Sequence, residues 1–289
     1  MHRVGTFALA AVFAASIAGL ACSVEPKLPA PEPPSPQSPA LPVYETFESS
    51  ADAMREVLLM RPAIIGVGEV HQQKGSPSTR SALRRFTEDM LAPLQGKATD
   101  LIAETWMVTG KCGAAEVQVT VDVEATTRRP ENTETEVVKL LKAAKSRGMQ
   151  PHILEVHCSQ YDRLLGKGKK VEYDALLSLI TDGLTAKATK IWRSSPGRKK
   201  TIVLYGGALH NDLLPLKELK RYAYAPALRR LSNGAFIELD LYVPELVEGD
   251  PAMKNQKWYS LLGQASGEKV ILVKRGKGSF VLIMRKGIR

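Results

Sequence analysis

AIIGVGEVH, spanning Ala63–His71, carries the strongest pattern in this chain, and TIVLYGGALH, spanning Thr201–His210, echoes it. Each begins with a short apolar, β-like run, Ala63–Val67 or Thr201–Tyr205, and ends in Gly-x-x-His. An apolar run punctuated by glycine reads as a buried strand. Glycines at its end let the backbone turn sharply and aim the next polar side chains at the rim of a sheet. In open α/β sheets ligands bind at that rim. The two motifs therefore predict one polar site holding His71 and His210, with Glu69 and Glu104 as companions.

On either side of these runs, strands alternate with helices. Tyr44–Leu59 reads as an opening helix ended by Arg61-Pro62. Thr79–Leu94 places Leu83, Phe86, Met90, Leu91 and Leu94 on one helical face. Asp100–Ala103 is a strand that ends at Glu104, and Glu116–Glu124 alternates valine with polar residues as a half-buried strand does, although the valine spacing also permits a helix where tertiary context overrides propensity. Thr133-x-x-Glu136 is a capping box opening a helix to Arg147, with Gly148 as its stop. His152–Val156 is a strand, Val171–Trp192 a long amphipathic helix, and Leu213–Leu231 helical. Ala235–Tyr242 is a further strand, and Lys269–Lys274 pairs with Ser279–Met284 as a hairpin across Gly276 and Gly278. This order predicts an α/β fold: a mainly parallel central sheet, helices on both faces, and a C-terminal antiparallel hairpin at an edge.

In such a sheet the strand ends converge. Glu69 and His71, Glu104, Glu155 and His157, and His210 with Asn211 and Asp212 all fall at or beyond carboxyl ends. Imidazole with carboxylate suits Zn²⁺, Mn²⁺, Fe²⁺ or Co²⁺, and an open position on such an ion makes a nucleophile of bound water. Without metal, the same residues act as general acid and base. Glu69, His71, Glu104 and His210 are the candidate catalytic and metal-ligating set. His157 is a candidate cofactor contact, and His152 reads as a structural residue at a strand start. Trp106 is either a pocket wall or core. No HExxH pair, cysteine-rich zinc pattern or Gly-x-Ser-x-Gly elbow is present.

The first residues read as an address. His2 and Arg3 precede an apolar run, Thr6–Leu20, and then Gly19-Leu20-Ala21-Cys22. That pattern is a secretory signal peptide, residues 1–21, too short and wrongly flanked for a membrane span. Cys22 stands where bacterial lipoproteins carry their lipid, although Gly19 replaces the usual Leu; ordinary cleavage after Ala21 is the alternative. Residues 22–42 are rich in proline and form an extended spacer behind a lipid anchor. Ser23 after the cysteine suits the outer membrane, facing the periplasm or the surface. Residues 43–289, about 245 in number, suffice for one α/β domain.

The net charge is +10, but the basic residues are scattered and no aromatics interleave with them, so nucleic acid is not the expected partner. Past Cys22 only Cys112 and Cys158 remain, and in an oxidising compartment an isolated pair is expected to be bridged. The bridge would staple the loop after Glu104 to the loop after His157.

The ordered set Gly68-Glu69-Val70-His71, Glu104 in LIAET, and Gly207-Ala208-Leu209-His210 resembles a superfamily. Its members include ChaN-like haem-binding lipoproteins, erythromycin-esterase-like hydrolases and TraB/Tiki proteases. The resemblance covers Ala63–Asp212, and GEVH looks most like the ChaN and esterase branches. It implies an α/β fold with a site on the strand rim and carries over His71, Glu104, His210 and Glu69. Members bind haem, cleave esters, or cleave peptides with a divalent metal. The Cys112/Cys158 pair and the Val117–Val123 alternation depart from its pattern. The leading expectation is an envelope lipoprotein with a metal-assisted, hydrolase-like site acting on an ester or amide of a small molecule or peptide. The alternative is a non-catalytic haem- or iron-binding lipoprotein.

Overall fold

The structure, a computed structural model, describes residues 42–165, 170–194, 197, 200–266 and 269–287. The signal segment, Cys22 and nearly all of the proline-rich spacer lie outside the described residues. The stretch quoted first forms β2 (Ile64–Glu69), every residue of which is buried. Its echo forms β5 (Thr201–Gly207), also buried throughout. The two pair in parallel, with Gly68 opposite Gly206 and Glu69 opposite Gly207. Central parallel strands are covered on both faces, so they read as continuous apolar runs rather than alternating ones.

Around this pair stand β1 (Tyr44–Phe47), β3 (Ala98–Thr109), β4 (Gln150–His157), β6 (Phe236–Tyr242), β7 (Val270–Gly276) and β8 (Ser279–Ile283). Among the described residues they form one eight-stranded sheet in the order β1-β7-β8-β6-β2-β5-β3-β4. Pairing is parallel from β8 through β6, β2, β5 and β3 to β4, and antiparallel at β1–β7 and β7–β8. The fold is thus α/β with a mostly parallel sheet and an antiparallel C-terminal hairpin. The hairpin is not the edge itself, because β1 pairs outside β7.

Side-chain alternation sends Ile65, Val67, Leu101, Val203 and Tyr205 into one core layer. That layer is roofed by α1 (Ser50–Leu59), α2 (Ala82–Arg85) and α4 (Thr133–Ser146). Ile64, Ile102, Ile202 and Leu204 enter the opposite layer, under α3 (Ala114–Thr127), α5 (Cys158–Leu164), α6 (Tyr173–Arg193) and α8 (Ala225–Leu231). Among the described residues no helix is long and apolar enough to cross a membrane.

Several local expectations are corrected. The opening segment is a strand and then a helix. Ser49 takes an extended backbone, accepts from the Asp52 N–H at 3.2 Å, and so starts α1 at Ser50. The Thr79–Leu94 helix is interrupted. Ser81 accepts from the Arg84 N–H, α2 starts at Ala82, and Phe86–Met90 widens into a π-turn. Its apolar face is nevertheless buried as expected, from Leu83 to Leu94.

Glu116–Glu124 lies within α3 rather than forming a strand. Val119 and Val123, four apart, pack inward, while Val117 and Val121 stay exposed. An every-second-residue valine pattern contains i,i+4 pairs, and tertiary packing chose those over β propensity. The capping box at Thr133 does not form. Asn132 holds the cap position, and Glu136 instead accepts from Asn132 and from Ser81.

Candidate functional site

The parallel strands deliver their carboxyl ends to one rim, and four segments meet there. Strand β2 ends at Glu69 and brings His71 two residues later. The His71 Nδ1–H donates to Glu69 Oε1 at 2.7 Å, and the Tyr205 hydroxyl donates to Glu69 Oε2 at 2.6 Å. This file, Tyr205–Glu69–His71, fixes the ring and turns Nε2 toward the site, as a carboxylate orients histidine in both acid–base and metal centres.

Glu104 was expected at the end of a strand, but it lies inside β3. The chain runs on to Thr109, and the β3–β4 register shifts between Ile102 and Trp106. Pairing with β5 stops at Ala103. Glu104 thus occupies an irregularity, a device that re-aims a side chain at a site. Its Oε2 accepts the Gly207 N–H at 2.6 Å, and its Oε1 lies 3.6 Å from His71 Nε2.

His210 sits on α7 (Ala208–Asn211), one turn directly after β5. Its Nδ1–H points to the Tyr222 carbonyl at 2.9 Å, with the Thr181 hydroxyl at 2.8 Å. In the neutral ring, an Nδ1–H given to that carbonyl leaves the lone pair on Nε2. The next residues are tied down by buried acids. Asn211 Nδ2 donates to Asp240 and the Leu213 N–H to Glu238, while Asp212 and both acids face Arg275.

The motif glycines matter for space, not for turning. Among Gly66, Gly68, Gly206 and Gly207 none has positive φ. A β-carbon at Gly207 would lie 3.0 Å from His71 Nε2, 3.6 Å from Glu104 Oε2 and 3.7 Å from His210 Cδ2. The three side chains therefore converge on one point above Gly207.

Arg129, in the connection from α3 to α4, completes the site and was not marked by any sequence pattern. Its Nη2 lies 2.7 Å from His71 Nε2 and 3.5 Å from Glu104 Oε1. The two partners make opposite demands on His71. Arg129 donates to Nε2 only when the ring is neutral, whereas Glu104 accepts from it only when the ring is charged. Burial and the Arg129 charge disfavour the imidazolium. Hydrogen bonds to Glu104 and Glu69 outweigh them and raise the His71 pKa to about 9. For Glu104 burial opposes ionisation, but His71, His210 and Arg129 hold its carboxyl well below the usual carboxylate range.

A divalent metal would need free lone pairs on these side chains. His71 Nε2 and Glu104 Oε1 already face a guanidinium, and Glu104 Oε2 is engaged by the Gly207 N–H. Among the described residues no group of three or more His, Cys, Asp or Glu is arranged to hold an ion. In this arrangement Arg129 is the cation in contact with His71 and Glu104.

The remaining candidates lie apart. Glu155 is exposed and paired with Lys187. His157 ends β4 and meets Thr109, roughly 16 Å beyond Glu104 along β3. His152 meets Asp100 at 2.8 Å, in keeping with a structural role. Trp106 donates to the Tyr161 hydroxyl at 2.8 Å beside the core. Cys112 and Cys158 form a disulfide, which joins the segment after β3 to the start of α5.

No family model matches the chain, and no curated protein matches it. Among solved structures the chain is similar to a crystal structure of a Bacillus cereus protein. The two share 9% identity at a TM-score of 0.39, over 82% of this chain and 92% of that one.

Proposed function

We propose that the rim site is a metal-free hydrolytic centre for an ester or amide. The observation that carries this reading is the convergence of His71, Glu104 and His210 on one point above Gly207, with His71 held by Glu69. His210 Nε2 takes a proton from water as the water oxygen bonds to the acyl carbon. The imidazolium of His71 gives its Nε2 proton to the leaving oxygen or nitrogen as the acyl bond breaks. Glu104 holds the charged His71, and proton exchange with solvent returns both rings to their starting states. The resemblance to the esterase branch supports the same chemistry. Export, a lipid on Cys22 and an outer-membrane location belong to this proposal as the setting in which the site works.

The test is hydrolysis of a panel of 4-nitrophenyl esters and anilides by the purified chain. Activity that persists after chelation and is lost by about 100-fold or more in His71→Ala and His210→Ala supports the reading. Activity that chelation abolishes and Zn²⁺ or Mn²⁺ restores refutes the metal-free form.

One observation favours the second reading, a haem- or iron-binding lipoprotein. His157 lines a cavity of about 600 Å³ with Leu154, Leu164 and Leu179, and Arg163, Lys187 and Lys190 stand at the same cavity. An imidazole beside an apolar surface and cations suits a porphyrin and its propionates. A haem titration in which His157→Ala loses the Soret shift supports it, and an unchanged spectrum on titrating the parent chain removes it.

A further inference from the structure

The two positive groups of the site share one oxygen. His71 Nε2 and Arg129 Nη2 approach the same Glu104 Oε1, at 3.6 and 3.5 Å, and lie 2.7 Å from each other. A guanidinium has five N–H donors in a planar fork. Among the described residues Arg129 uses only Nη2, and its Nε and Nη1 make no hydrogen bond. The side chain is about a quarter exposed, at 26%.

The connection bearing Arg129 is placed by the fold. Arg128 closes α3 in the left-handed conformation, and its carbonyl accepts from the Lys74 N–H at 2.6 Å. That bond joins the segment after His71 to the segment before α4. Gln72, Pro130, Asn132 and Thr133 line a small cleft beside Arg129 and His71. Glu69 and Glu136 line the same cleft, and Lys74 pairs with Glu131 at 3.9 Å, so Arg129 is the permanent cation among the residues that line it.

We propose that Arg129 is a substrate anchor and that the molecule hydrolysed carries an oxyanion group, carboxylate or phosphate, close to its scissile bond. This rests on the hydrolytic reading above. The free edge of the fork takes the oxyanion in a bidentate pair, the arrangement for which arginine is better suited than lysine. Drawing the guanidinium onto the substrate also separates it from His71 Nε2, which leaves that proton for the leaving group. A neutral substrate offers no such pull, so selectivity and release of His71 come from one contact.

The experiment compares mono-4-nitrophenyl glutarate, which ends in a free carboxylate, with neutral 4-nitrophenyl butyrate. The parent chain, Arg129→Ala and Arg129→Lys are assayed side by side. The parent is expected to favour the glutarate ester by about tenfold or more in kcat/KM. Arg129→Ala is expected to lose that preference mainly through a higher KM for the glutarate ester, and Arg129→Lys to recover part of it. No preference in the parent, or an equal fall for both esters in Arg129→Ala, overturns the anchor. If the parent cleaves neither ester, the hydrolytic reading fails separately. The anchor then stands or falls on calorimetric titration with glutarate and with inorganic phosphate. Saturable binding of either that Arg129→Ala abolishes sustains it and tells the two oxyanions apart, and no binding to the parent overturns it.

Discussion

Gly206 lies directly under Glu104: a β-carbon built on the glycine would stand 2.3 Å from Glu104 Oε2 and 2.8 Å from its Cβ. The Cβ contact cannot be relieved by rotating a carboxylate. Gly206→Ala must therefore move β3 against β5 or expel the glutamate. The expected outcome is a loss of about 1–3 kcal/mol in thermal unfolding and loss of hydrolysis. Gly263→Ala, whose added β-carbon would meet nothing within 4 Å, is the control and should change little.

His71 makes stability depend on pH in a defined window. Its pKa rises from the usual 6.5 to about 9 in the folded chain. Below 6.5 both states hold the proton and the stabilisation is complete. From 6.5 to about 9 the unfolded chain loses the proton first, so stability falls as pH rises. Melting temperatures measured across this range should decline in the parent and flatten in His71→Gln. A histidine NMR titration should also show His71 moving higher in Arg129→Ala, because the guanidinium charge opposes the imidazolium.

Arg275 neutralises two carboxyls that solvent does not reach. Its Nη1 lies 3.0 Å from both Glu238 and Asp240, which are 0% and 2% exposed. Burial raises both pKa values; the Glu238 charge raises the Asp240 value further, and the Asp212 charge raises that of Glu238. Arg275→Met strands them, and the expected cost is about 3–5 kcal/mol. Adding Glu238→Gln should restore part of that loss. Because these acids hold the segment Asn211–Leu213, chemical denaturation and activity should fall together.

The Cys112–Cys158 disulfide closes a loop with a sequence separation of 46 residues. That loop contains α3 and the connection bearing Arg129. Cys112→Ser with Cys158→Ser is expected to lower stability by about 2–4 kcal/mol. Protease nicking should appear first near α3, whose only fully buried residue is Val119. Unchanged nicking and unchanged unfolding would show that the bridge constrains nothing that matters.

What could be read in one dimension was whatever depends on local pattern. The runs AIIGV and TIVLY became adjacent central strands because apolar stretches bounded by glycine have one good use in a sheet buried on both faces. The apolar face from Leu83 to Leu94 was buried even though its helix broke, since burial follows side-chain spacing more than backbone regularity. Glu69, His71, Glu104 and His210 were legible as a group because parallel strands must end on one rim.

Local pattern thus set the class of sheet, the rim, and the residue types gathered there. Packing across the whole chain set how they are used. It chose a helix for the Val117–Val123 alternation by burying Val119 and Val123. It placed Glu104 in an irregularity of β3, and it made the glycines a matter of clearance rather than of turning. It carried Arg129 to within 2.7 Å of His71 across a gap of 58 residues. No local pattern encodes such a contact, because it depends on the summed path of α3 and its neighbours, and that path exists only once the whole core has packed.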